Sequence, residues 1–70
     1  MEVEELQNAL AAAIDALPER DRMVISLYYY DELTVKEIAV ILGVSESRVS
    51  QLHTRAMMRI RVDVKRAAGV

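Results

Sequence analysis

The chain has 70 residues, 53% of them hydrophobic and 29% charged, with two glycines, one proline, no cysteine, phenylalanine or tryptophan, and a formal net charge of −2. So short a chain supports one domain, residues 1–70, with a small core. The absence of cysteine excludes disulfides and thiolate metal sites. No apolar run approaches the roughly 20 residues that a membrane-spanning helix requires, and the acidic opening of Glu2, Glu4 and Glu5 argues against a signal peptide. These features predict a cytoplasmic protein built of helices.

The first predicted helix covers Val3 to Ala16, where Leu6, Leu10, Ala13, Ile14 and Leu17 recur at helical spacing and form one face. Pro18 breaks it and suits the first position of a second helix. That helix is expected to run to Tyr29 with Met23, Val24, Leu27 and Tyr28 inward. Asp31-Glu32 forms a polar turn. The third helix spans Val35 to Leu42, opened by Thr34 and Glu37 in the T-x-x-E pattern of a capping box. Gly43 can take the left-handed conformation that ends it, and Ser45 can cap the fourth helix. The fourth helix starts at Glu46 and meets no breaker until Gly69, with a core stripe of Val49, Leu52, Ala56, Ile60, Val64 and Ala67. The expected fold is all-α: a small four-helix bundle with Val49, Leu52, Ile38, Leu42, Leu27 and Ile14 in one core.

The stretch TVKEIAVILGVSESRVSQL, Thr34 to Leu52, carries the functional signal. Ala39 is small enough for the next helix to cross closely, Gly43 makes the turn, and Val49 returns the next helix to the core. Together these define a helix-turn-helix over about 34–62 with a long C-terminal recognition helix. Such units place their second helix in the DNA major groove. Projected at about 100° per residue, Ser47, Gln51 and Thr54 point away from Val49, Leu52 and Ala56. Glu46 and Ser50 lie on one flank and Arg48, Arg55, Arg59 and Arg66 on the other. Glutamine can pair bidentately with adenine, and serine can contact several bases. Glu46, Ser47, Ser50 and Gln51 are therefore the candidate base readers. The candidates for phosphate or protein contact are Arg48, Thr54, Arg55 and Arg59, with Thr34, Val35 and Lys36 at the third helix's N-terminus.

Charge is uneven along the chain. From Glu46 onward six basic residues face only Glu46 and Asp63, so this segment is net positive by four and the remainder net negative by six. The sequence pI is about 5.3, below the values above 9 typical of free-standing DNA-binding domains. Weak DNA binding by the chain alone is expected, since phosphate neutralisation supplies most non-specific affinity. His53 has no second histidine or cysteine to share a metal and reads as an interface or helix-packing residue. Tyr28, Tyr29 and Tyr30 read as partly buried rather than as base-stacking groups. No nucleophile–base pair, metal cluster or phosphate-binding glycine loop appears, so neither an enzyme, a cofactor nor a small-molecule substrate is expected.

The segment from Leu17 to Arg61 resembles region 4 of bacterial RNA polymerase sigma factors. The likeness rests on the L-P-E-R opening, L-Y-Y before an E-L-T turn, and S-E-S-R-V-S-Q-L-H. It is nearest to flagellar-type alternative sigma factors, with their sporulation relatives. The resemblance implies recognition of the promoter −35 element, docking on the β flap of polymerase core, and capture by an anti-sigma factor. It places Glu46, Ser47 and Gln51 at base-reading positions, and Arg48 and Arg55 near DNA backbone or protein. Housekeeping sigma factors carry arginine where Glu46 stands and glutamate where Ser47 stands, which implies a different −35 sequence here. Region 2, which reads and melts the −10 element, is not in this sequence, so initiation by the chain alone is not expected. Two other readings remain: a module acting mainly by protein docking, and a response-regulator-type helix-turn-helix output domain.

Overall fold

The computed structural model describes residues 2–69. Four α-helices follow in order: α1 Val3–Asp15, α2 Glu19–Ile25, α3 Val35–Leu42 and α4 Glu46–Ala67. α4 is the spine. At about 1.5 Å per residue, its 22 residues account for most of the 38 Å long axis, and α1, α2 and α3 all pack on it.

The core is divided in two, where one continuous core is expected from the sequence. Val24, Ile38, Ala39, Val49 and Leu52 form one cluster, with Leu27 and Leu42 at its margin. Ala13, Leu17, Ile25, Ala56 and Ile60 form the other, with Ile14 at its margin. The division follows the apolar stripe of α4: Val49 and Leu52 meet α3, whereas Ala56 and Ile60 meet α1. Val64 is half-buried, but Ala67 is exposed. Leu6 and Leu10 are also exposed, because only the last turn of α1 and Leu17 reach the core.

The second helix departs most from expectation. It is α-helical only to Ile25, and Ser26–Tyr30 form a π-helical turn closed by the Asp31 N–H donating to the Ser26 carbonyl at 3.2 Å. Up to that point the inward residues are Asp21, Val24 and Ile25. Met23 falls on another side of the helix and is exposed. Continuing the α-helical phase would bring Tyr28 inward, but the wider π turn rotates it out, and all three tyrosines are exposed. Glu32, in the following polar turn, has φ 56°.

Candidate nucleic-acid interface

The turn between α3 and α4 is built from capping groups. The Glu37 N–H donates to Thr34 Oγ1, and the Thr34 N–H donates to Glu37 Oε1, both at 3.1 Å, completing the capping box. The Thr34 N–H, with help from its hydroxyl, holds the Glu37 carboxyl below the usual carboxylate range. At the other end Gly43 has φ 68°. Its N–H donates to the Val40 carbonyl and the Val44 N–H to the Ala39 carbonyl, the paired bonds of a Schellman motif. Val44 then packs against the Val24–Ile38–Val49 cluster. The Arg48 N–H donates to Ser45 Oγ at 3.0 Å, capping α4. With Ile38 and Val49 both fully buried, α3 and α4 form a helix-turn-helix.

This arrangement exposes Glu46, Ser47, Ser50 and Gln51 on the first two turns of α4, and Arg48, Thr54, Arg55 and Arg59 are exposed as well. Ser50, Gln51, Thr54 and Arg55, with Met58, line one shallow depression. Lys36 and Glu46 line another across the Gly43 turn, so a residue from α3 joins the start of α4. Arg59 sits further along, beside Arg55 and the Ala16–Leu17 corner.

Two expected phosphate contacts are altered. Thr34 has its N–H and hydroxyl engaged by Glu37, which removes that N–H from the set open to an anion and puts a carboxylate beside it. Val35 is half-buried against the core. Of the helix-start N–H groups that α-helix geometry leaves without an intrahelical acceptor, those of Val35 and Lys36 remain outside the box.

Arg55 is also more constrained than its position on the basic flank suggests. Its Nη2 donates to Asp21 Oδ1 at 2.6 Å and its Nε to Asp21 Oδ2 at 3.1 Å. The hydrogen bonds, reinforced by the Asp21 charge, keep the guanidinium more firmly protonated than a free arginine. Asp21 is fully buried, while the Arg55 side chain stays 46% exposed. Sequence reading missed Asp21, although a signal exists: it shares the i, i+3, i+4 face with Val24 and Ile25, an acid on an apolar stripe.

His53 is half-buried on α4. It receives Tyr28 and Tyr29 from the π turn, with ring centroids at 5.2 and 5.8 Å, and its Nε2 lies 3.0 Å from the Tyr29 hydroxyl. It is a helix-packing histidine. Among the described residues no group of three or more histidines, cysteines or acids could hold a metal, and no helix is long and apolar enough to cross a membrane.

The fold thus defines a helix-turn-helix protein whose second helix carries a polar, basic face. The family description "Sigma-70, region 4" matches residues 13–62, and the chain belongs to that family, which is a DNA-binding regulatory region and not a known enzyme family. It is 60% identical over 58 residues to the RNA polymerase sigma factor FliA of Pseudomonas aeruginosa, covering 83% of this chain and 24% of that protein. Against FliA of Escherichia coli K12 the identity is 52% over 56 residues, with 80% and 23% covered. Against the sigma-D factor of Bacillus subtilis it is 41% over 58 residues, with 83% and 23% covered. These are flagellar-type alternative sigma factors, and the chain spans about a quarter of their length. Membership of the region 4 family sets aside the response-regulator output domain.

Proposed function

We propose that this chain recognises the −35 element of promoters as the region 4 domain, residues 1–70, of an alternative sigma factor, and docks on RNA polymerase to direct transcription initiation. The observation that carries this reading is the Schellman turn at Gly43. It sets α4 against α3 so that Glu46, Ser47, Ser50 and Gln51 stand exposed at the leading end of α4. In the proposed complex that end lies in the major groove, with Gln51 and Ser47 at base edges. Arg48, Thr54, Arg55, Arg59, Lys36 and the Val35 N–H serve phosphates, polymerase, or both. The site of action is the bacterial cytoplasm, where promoter DNA and polymerase meet.

A specific observation also favours protein docking. Leu10, Ile14, Ile25, Tyr29, Met57 and Ile60 line an apolar groove of about 250 Å³ on a different side of α4 from Gln51. Such a groove suits the polymerase flap or an anti-sigma factor. It complements the DNA reading, since an acidic chain with one basic helix gains promoter affinity from a second anchor.

Selection of bound sequences from a random duplex library, with the chain tethered to polymerase, tests the proposal. A defined −35 preference is expected. Gln51→Ala should lose about 1–3 kcal/mol at one base pair, the adenine position expected for a glutamine reader, and leave the rest of the preference intact. A preference unchanged at every position would remove Gln51 from the interface, and no preference at all would leave protein docking as the function.

A further inference from the structure

We infer that Asp21 is a positioning residue for DNA contact: its buried carboxylate holds Arg55 so that the free edge of the guanidinium faces a duplex phosphate. This inference rests on the −35 reading above.

Asp21 lies on the first turn of α2, fully buried, and its two oxygens take Nε and Nη2 of Arg55 side-on. A side-on grip uses two of the five guanidinium donors and leaves three, two on Nη1 and one on Nη2, pointing away from the carboxylate. Those donors belong to a side chain that is 46% exposed. Arg55 also lines the same depression as Ser50, Gln51 and Thr54, one turn beyond Gln51 along α4.

The alternative arrangement has a physical cost. An Arg55 that swung out to meet DNA would leave Asp21 buried, ionised and without its partner, the most unfavourable state for a carboxylate. The arginine therefore serves both partners at once or does not serve DNA. Lysine cannot do this: it offers a point charge without a planar fork with two edges. Asp21 belongs to α2, so the anchor is supplied by a helix outside the helix-turn-helix.

The test is a salt titration of duplex binding by the 70-residue chain, at temperatures where circular dichroism shows each variant folded. Each phosphate contact contributes about 0.9 to the slope of log affinity against log salt. Asp21→Asn should flatten the slope by about 0.9, matching Arg55→Ala, and should change nothing further when placed in the Arg55→Ala background. A purely structural role would not produce that equivalence. Arg55→Lys keeps a charge beside Asp21 and serves if Asp21→Asn does not fold; it should show the same flattening. A wild-type slope in folded Asp21→Asn or Arg55→Lys overturns the inference while leaving the −35 reading standing. So does an Asp21→Asn loss that adds to that of Arg55→Ala. Salt-independent binding by the wild-type chain overturns both.

Discussion

Two capping residues, Thr34 and Glu37, link local stability to pH. Thr34 donates from its N–H and hydroxyl to the Glu37 carboxylate, which lowers the carboxyl's pKa in the folded state relative to its ordinary value of 4.5. A depressed folded pKa means that the ionised form stabilises the fold: the contribution is complete above the unfolded pKa and disappears as pH falls through the folded one. The group is at the surface, so the effect is modest and weakens with salt. Glu37→Gln can still accept from the Thr34 N–H but has no charge to lose. The melting temperature of the wild-type chain is expected to fall more steeply than that of Glu37→Gln as pH drops from 5 to 3. Parallel curves would show that the box makes no contribution through its charge.

The helix-turn-helix is the element best encoded in the sequence, because each of its turns depends on one or two short-range residues. Thr34 with Glu37, Gly43, and Ser45 specify caps that need no knowledge of the rest of the chain, and all form as read. The second helix is different. Its π turn at Ser26–Tyr30 breaks the α-helical phase, so phase alone places Tyr28 inward where the structure leaves it exposed beside His53. The place of Asp21 on the apolar stripe of α2 is a local signal, but the identity of its partner is not: Arg55 is 34 positions away. At the candidate interface, the exposure of Glu46, Ser47, Ser50 and Gln51 was legible from the phase of α4, whereas the engagement of Thr34 and Arg55 by neighbouring carboxylates was not. The most exacting local demand falls on Gly43. Nothing lies within 4 Å of a Cβ built there, so Gly43→Ala meets no clash and its whole cost is the left-handed φ of 68°, about 1–2 kcal/mol. Chemical denaturation should show that loss with an unchanged m-value. A neutral substitution would mean that the turn relaxes without it, and that the angle between α3 and α4 is set by core packing alone.

For the whole molecule, the decisive feature is that two small clusters share one helix. Neither is large: each holds five buried side chains, and several of these are alanines. At about 0.05–0.15 kcal/mol per residue, a chain of this size has only about 4–10 kcal/mol of total stability. Separate clusters of this kind would each be marginal, but α4 is continuous through both, with Val49 and Leu52 in one and Ala56 and Ile60 in the other. Fraying α4 at one cluster removes the surface on which the other is built, so the two are expected to unfold together. Val49→Asp tests this directly. It places an unpaired charge at a fully buried position, a defect of several kcal/mol by comparison with the roughly 3–5 kcal/mol lost when a buried charge loses its partner. The substitution lies in the cluster that excludes α1, yet it should abolish the helical signal of the entire chain at 25 °C, including that of α1. About half the wild-type helicity surviving with a cooperative melt would show instead that α1 and the second half of α4 hold together alone. The basic flank around Arg55 and Arg59 would then fold independently of the proposed base-reading end of α4. In the cooperative case, the Schellman turn, the Asp21–Arg55 pair and the apolar groove are parts of one folding unit, and weakening any of them lowers the folded population on which the proposed DNA reading depends.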